Sequence, residues 1–202
     1  FGFPENYIGA MFIGTIDSFC QKLLGNINAS YRQYDILDAN GLILFVMSRY
    51  RNLGLATGSG YFRRIQDLTF AWQTVNNENI SYNSIASEDS SLYNSLLKLK
   101  EALEHDGYMD FSYAIRLAVE ELSKIADKKG TDIEKYKYLF VDEYQDINPI
   151  QEAFIRGFSK FLDSLFVVGD DDQAIYGWRG ANVQNILTFE DRYKNVSVHK
   201  LL

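Results

Sequence analysis

The segment YLFVDEYQDINPIQEAFIRGFSKFLDSLFVVGDDDQAIYGWRGA, residues 138–181, predicts a strand, an acidic loop, a helix, a second strand and an acidic-aromatic loop. Its first four residues are apolar without polar alternation, which is typical of a strand buried on both faces of a parallel sheet. Asn148 can cap the following helix and Pro149 can occupy its first turn. The apolar run at 165–168 predicts the second strand. With a right-handed crossover, both loops emerge at the carboxyl edge of the sheet, where ligands bind.

The composition predicts a globular chain and excludes several classes of protein. Of the 202 residues, 47% are hydrophobic, which is enough for a packed core. The net charge of −7 has the wrong sign for a general nucleic-acid binder, so any such binding is expected to be local. The single cysteine, Cys20, excludes an internal disulfide framework and is expected to be a small buried residue. Without a bilayer-spanning apolar run or a secretory signal, we expect a cytoplasmic protein with no membrane partner.

The rest of the chain predicts a change from strands to helices near Ala29. A strand at 11–13 is followed by a helix that Thr15 or Asp17 can cap and that extends to Leu24. Beyond the change, helical patterns cover residues 40–53, 60–76, 90–104 and 111–128, with loops at 56–60 and 76–89. A final strand is expected at 196–202.

The two acidic loops carry the residue types that phosphate chemistry requires. Asp142 follows a buried strand directly and can hold Mg²⁺, while Glu143 can orient and deprotonate an attacking water. Taken alone, this pair could also be a strand end that merely caps a helix. The second loop, GDDDQAIYGWRGA, combines three carboxylates, an amide, two aromatics and an arginine. Neighbouring carboxylates repel each other unless a cation or hydrogen-bond donors compensate, so this composition favours a site.

The segments VDEYQD and VVGDDDQAIYGWRGA resemble, in order and spacing, motifs II and III of the UvrD/Rep/PcrA-type superfamily 1 DNA helicases. GTIDSF resembles motif Ic of that family, with Asp17 where the family usually has His, and MDFSYAI resembles the Asp-Phe segment of its helical subdomain. The resemblance implies an α/β fold with a partial RecA-like parallel sheet of the P-loop NTPase type. Residues 1–29 and 137–202 would form part of motor domain 1A, and residues 30–136 an inserted all-helical subdomain 1B.

The resemblance also implies roles for residues at a nucleotide site. Asp142 resembles the magnesium-binding Asp of the family, Glu143 its catalytic base, and Gln173 the glutamine that senses the γ-phosphate of ATP. Arg179 would link the nucleotide site to the DNA site. The implied cofactors are ATP and Mg²⁺.

Further residues would bind DNA if the resemblance holds. Tyr176 and Trp178 resemble aromatics that stack on the bases of the tracking strand, and their alternative role is core packing. Ala174 and Gly177 replace residues that are commonly polar or larger in the family. The implied partners are single-stranded DNA and junctions of single and double strands. The other implied DNA contacts are Arg179 and, from the motif Ic segment, Thr15, Ser18 and Phe19.

No GxxxxGK[ST] phosphate loop occurs in the sequence, so we expect this chain to be an inactive part of a longer helicase that does not bind ATP and Mg²⁺ tightly. The sequence also allows two alternative functions. A metal-dependent nuclease or phosphohydrolase would bind two metals through Asp142, Glu143 and residues 170–172. A helical interaction module without catalysis would use Tyr176 and Trp178 as anchors.

Overall fold

The computed structural model of the chain describes residues 11–55, 60–126, 136–173 and 184–200. It is a mixed α/β structure that is mostly helical, with two small parallel sheets. None of the helices in these ranges combines the length and apolar character that crossing a membrane requires. In chain order the elements are α1 (Ile16–Ile27), β1 (Asp35–Leu37), α2 (Ala39–Arg49), α3 (Tyr61–Asn77), α4 (Tyr82–Glu88), α5 (Ser90–Asp106), β2 (Tyr108–Asp110), α6 (Phe111–Ala126), β3 (Tyr138–Val141), α7 (Pro149–Phe158), β4 (Ser164–Val167), α8 (Gln184–Leu187) and α9 (Phe189–Arg192).

The predicted strand, helix and strand are present, and β3 pairs in parallel with β4. Asn148 caps α7 through a reciprocal capping box with Gln151, and Pro149 occupies the first turn, as the sequence predicts. The expectation that β3 is buried on both faces is wrong for the described residues. Phe140 is 73% exposed and Phe166 is 54% exposed, and their rings lie side by side on one open face of the pair.

Helix α6 occupies the centre of the hydrophobic core and packs against both α1 and α7. Ile115, Ala118 and Leu122 recur at helical spacing on one face of α6, and all three are buried. Phe111, the first residue of the helix, departs from this pattern and is 46% exposed. One buried cluster therefore crosses the domain boundaries expected from the sequence, and the boundaries themselves stay a prediction.

The region expected to be all-helical contains a second parallel sheet, which corrects that part of the predicted fold. Residues Asp35 to Leu37 of β1 pair in register with Tyr108 to Asp110 of β2. Each strand has only three residues, too few for a period-two pattern to be distinguished in the sequence. Asp110 then begins α6: its carboxylate accepts hydrogen bonds from the Tyr113 backbone N–H and from the buried Trp72 indole.

Several smaller predictions also need correction. Residues 11–13 and 196–200 form no strand. Helix α4 lies inside the loop expected at 76–89.

Thr15 caps α1 as predicted, and the helix continues three residues beyond the predicted end to Ile27. Cys20 is a free, buried thiol whose pKa is raised by that burial, which confirms its predicted packing role.

Candidate functional site

The two acidic loops meet at the carboxyl ends of β3 and β4, because strand-like hydrogen bonding continues past both strands. The Val168 N–H donates to the Val141 carbonyl at 2.8 Å, and the Tyr144 N–H donates to the Val168 carbonyl at 2.9 Å. This arrangement places Asp142 and Glu143 beside the start of the second loop. The expected convergence of the loops at one sheet edge is confirmed.

Two carboxylates of the first loop, those of Asp142 and Glu143, are exposed at this edge. One oxygen of Asp142, Oδ1, accepts a hydrogen bond from the Glu143 N–H at 3.0 Å. Glu143 has a φ of +51°, in the left-handed region that costs a non-glycine residue about 1–2 kcal/mol. Such backbone conformations persist where surrounding contacts impose them, and they cluster at functional sites.

Gln145 connects the two loops through its side chain, which is 1% exposed. Its Nε2 donates to Glu143 Oε2 at 2.7 Å, and its Oε1 accepts from the Asp170 N–H at 3.0 Å. A Cβ atom on Gly169 would lie 2.6 Å from that Oε1, so glycine permits this close approach. The first loop is therefore attached to the second by one buried amide.

The second loop continues this chain of contacts to Gln173. Asp170 Oδ2 accepts a hydrogen bond from Gln173 Nε2 at 2.7 Å, and its Oδ1 accepts one from the Asp172 N–H at 3.0 Å. These two hydrogen-bond donors stabilise the negative charge of Asp170, which neighbouring carboxylates would otherwise destabilise by repulsion. The hydrogen bonds run without interruption from Glu143 through Gln145 and Asp170 to Gln173.

A second polar network underlies the site and is centred on Glu152 of α7, which is 6% exposed. The Tyr144 hydroxyl and the Arg192 guanidinium both donate to its carboxylate, and the Tyr193 hydroxyl donates to Oε1 at 3.1 Å. Burial raises the pKa of Tyr193 to about 12, and the nearby Glu152 charge acts in the same direction. Asn185 adds a hydrogen bond from Nδ2 to the Ile147 carbonyl at 2.8 Å. These contacts attach residues 184–193 to α7 and to the loop that precedes it.

Among the described residues, this edge offers few protein ligands for a metal ion. Within the described ranges, no three side chains from His, Cys, Asp and Glu come together in a group that could hold a metal ion. Asp142 offers one exposed carboxylate, which fits the way Mg²⁺ binds one or two carboxylates together with substrate phosphates and water. The described residues give no support to a nuclease that holds two metals by protein ligands alone.

The motif Ic segment places its three predicted DNA-binding residues in different environments. Thr15 is exposed at the start of α1, and its carbonyl accepts a hydrogen bond from the Ser18 hydroxyl at 2.8 Å. Phe19 is 8% exposed, and its ring contacts Phe154 and Phe158 of α7. Phe19 therefore packs in the core, whereas Thr15 and Ser18 lie at least partly at the surface.

The remaining predicted DNA and coupling residues, Tyr176, Trp178 and Arg179, lie outside the described residues. Conversely, residue type and spacing indicate no role for Gln145 or Glu152, and for Asp170 they indicate only charge repulsion and metal binding. Gln145 stands two residues after Glu143, but nothing in the spacing shows that it is buried. Glu152 lies in the first turn of α7, where an acidic residue is explained by the helix dipole alone.

Comparison with known proteins identifies the family. A family model described as the UvrD/REP helicase N-terminal domain matches residues 2–194. The ATP-dependent DNA helicase PcrA of Bacillus subtilis is 34% identical over 117 residues, which cover 58% of this chain and 15% of that protein.

Two further relatives match shorter segments. The PcrA of Staphylococcus epidermidis is 38% identical over 91 residues, or 45% of this chain and 12% of that protein. A probable DNA helicase II homologue of Rickettsia conorii is 48% identical over 68 residues, or 34% and 10%. The matched part thus spans between 10% and 15% of the lengths of these relatives. Because the family model covers nearly the whole chain, the chain belongs to the UvrD/REP helicase N-terminal domain family.

Proposed function

We propose that this chain is part of the motor of an ATP-dependent DNA helicase, which couples ATP hydrolysis to translocation on single-stranded DNA and to duplex unwinding. The observation that carries the proposal is the continuous hydrogen-bond chain joining Glu143 to Gln173 at the carboxyl edge of β3 and β4. In this proposal residues 1–29 and 137–202 belong to a RecA-like motor domain 1A, and residues 30–136 form subdomain 1B. The protein would act in the cytoplasm.

The proposed nucleotide site uses the exposed groups of both loops. Asp142 would hold Mg²⁺, which neutralises charge on the phosphates of bound ATP. Glu143 would accept the proton of the attacking water, because its carboxylate is exposed at the sheet edge and accepts a hydrogen bond from the Gln145 amide. Gln173 would donate to the γ-phosphate in place of its present acceptor, Asp170. Arg179 would connect this site to the bound DNA strand.

The proposed DNA site combines base stacking with contacts from the start of α1. Tyr176 and Trp178 would stack on bases, which tolerates any sequence because every base has an aromatic face. Thr15 and Ser18 present hydroxyl groups near the surface that can contact the strand. Phe19 would act there through packing that supports the start of α1. Single-stranded DNA and its junctions with duplex are the proposed partners.

The full-length protein tests this function directly. We expect magnesium-dependent ATP hydrolysis that single-stranded DNA stimulates, and ATP-dependent separation of a duplex with a single-stranded tail. DNA cleavage in the absence of ATP would instead support the nuclease alternative. Binding of a protein partner with neither activity would support the interaction module.

The 202-residue chain by itself should hydrolyse ATP no faster than buffer. Positioning of the phosphates supplies most of the catalysis in phosphoryl transfer, and the sequence contains no GxxxxGK[ST] segment to provide it. The measurement is phosphate release with and without Mg²⁺, with Glu143→Gln as the control for contaminating ATPases. Magnesium-dependent turnover that disappears in the Glu143→Gln chain would contradict this expectation.

Replacement of Trp178 by Ala in the full-length protein should weaken binding of single-stranded DNA by about 1–3 kcal/mol, the value of one lost stack. The loss should be the same for different base sequences, and DNA stimulation of the ATPase should fall. ATP hydrolysis without DNA should change little, because the proposed contact is to a base. The measurements are DNA titrations by fluorescence anisotropy and by ATPase rate. Unchanged DNA affinity with a large drop in melting temperature would show that Trp178 is a packing residue.

A further inference from the structure

Gln145 is buried between the two acidic loops with both of its polar atoms engaged. The side chain is 1% exposed, and it donates to Glu143 Oε2 at 2.7 Å while accepting from the Asp170 N–H at 3.0 Å. The opposite orientation of the amide would place its oxygen against a carboxylate and its NH₂ group against a backbone N–H. The two partners therefore select one orientation, and that orientation presents a donor to Glu143.

The packing around Gln145 restricts its movement. A Cβ atom on Gly169 would lie 2.6 Å from Gln145 Oε1 and 3.2 Å from the Tyr144 backbone nitrogen, so the end of β4 approaches the amide as closely as glycine allows. Glu143, in contrast, has an exposed side chain on a left-handed backbone. An exposed carboxylate is free to occupy several rotamers, and a hydrogen bond from a buried, immobile amide reduces that freedom.

From these contacts we infer that Gln145 is a positioning residue, which holds the Glu143 carboxylate for catalysis and links its placement to the loop at Asp170. This inference rests on the proposed function, in which Glu143 accepts the proton of the attacking water. Asp170 also accepts a hydrogen bond from Gln173 at 2.7 Å. A displacement of Gln173 during turnover would therefore change the position of the Glu143 carboxylate, because the Asp170 backbone and the Gln145 amide connect the two side chains.

The consequence is that Gln145 should affect the catalytic step more than substrate binding. Gln145→Glu keeps an acceptor for the Asp170 N–H but places a carboxylate against Glu143. In the full-length protein we expect kcat for ATP to fall about 10- to 100-fold, because small errors in the position of a catalytic group have effects of this size. KM for ATP and the dissociation constant of a non-hydrolysable ATP analogue should change by less than about twofold.

A matched control makes the same chemical change outside the site. Gln151 lies in the same segment, and its Oε1 accepts from the Asn148 N–H at 3.1 Å in the capping box of α7. A glutamate can keep that hydrogen bond, so Gln151→Glu should leave kcat within about twofold of the wild-type value. A fall in kcat for Gln145→Glu together with an equal fall for Gln151→Glu would overturn the inference.

A double-substitution cycle separates positioning from general structural support. In a Glu143→Gln background, Gln145→Glu should lower the single-turnover hydrolysis rate by less than about twofold, because the base that Gln145 positions is already absent. Multiplicative losses from the two substitutions would overturn the inference.

A second variant covers the case in which Gln145→Glu does not fold, as judged by melting temperature. Gln145→Met keeps the size of the side chain and removes both hydrogen bonds. An unchanged kcat in a folded Gln145→Met protein would also overturn the inference.

These experiments distinguish failure of the proposed function from failure of the positioning role. A wild-type protein without ATPase activity would refute that function, whereas an active enzyme indifferent to Gln145 would refute the positioning role alone.

Discussion

Replacing Glu143 by Gln in the full-length protein should lower the turnover number for ATP by about 100- to 10,000-fold, the usual contribution of a general base. The substitution keeps the size of the side chain, and its amide oxygen can still accept the hydrogen bond that Gln145 Nε2 donates at 2.7 Å in the wild-type protein. Affinity for a non-hydrolysable ATP analogue and for single-stranded DNA should therefore stay close to the wild-type values. The measurements are steady-state ATPase rates and equilibrium binding of both ligands.

Glu88→Gln is a suitable control for this experiment, because it makes the same change at an exposed residue at the end of α4. It should leave ATP turnover unaltered. Near-normal hydrolysis by the Glu143→Gln protein would move the role of base to another residue. Loss of nucleotide binding together with turnover would show that Glu143 supports the structure of the site instead.

Replacing Glu152 by Ala should destabilise the chain by about 3–5 kcal/mol, the typical effect of removing one partner from a buried ion pair. The carboxylate is 6% exposed and accepts hydrogen bonds from Arg192, Tyr144 and Tyr193. Its removal would leave a mostly buried guanidinium without its anion and two tyrosine hydroxyls without their acceptor. The measurement is the urea midpoint of unfolding followed by circular dichroism. Glu152→Gln should lose less stability, because an amide oxygen still accepts a hydrogen bond.

The pair of Arg63 and Asp67 provides the matched control for Glu152. It is an ion pair one helical turn apart with an N to O distance of 3.9 Å, and its side chains are 86% and 70% exposed. Asp67→Ala should therefore change the free energy of unfolding by less than about 0.5 kcal/mol. Equal small effects for Asp67→Ala and Glu152→Ala would mean that the Glu152 network does not hold residues 184–193 in place.

The local chemistry of the strand, helix and strand unit could be predicted because each signal lies within a few residues of the structure it determines. Asn148 and Pro149 act on the first turn of α7, and Thr15 acts on the first turn of α1. The small sheet of β1 and β2 could not be predicted, because its two three-residue strands meet only when the intervening helices have packed. The exposed Phe140 shows a similar limit. An apolar run indicates that a strand is able to be buried, but burial itself depends on which other elements pack against that strand.

The sequence by itself indicated the family and the order of the acidic loops, because these depend on residue type and spacing. It also predicted Asp142 and Glu143 as site residues, and the family resemblance added Gln173. Only the tertiary structure decided how those residues are connected. Gln145 and Asp170 are 25 residues apart, and Glu152 and Arg192 are 40 apart, so their hydrogen bonds arise from the pairing of β3 with β4 and the packing of α8 and α9 near α7. Gln145 and Glu152 are buried for the same reason, because contacts between segments distant in the chain remove their side chains from water. A local sequence pattern contains no information about such contacts.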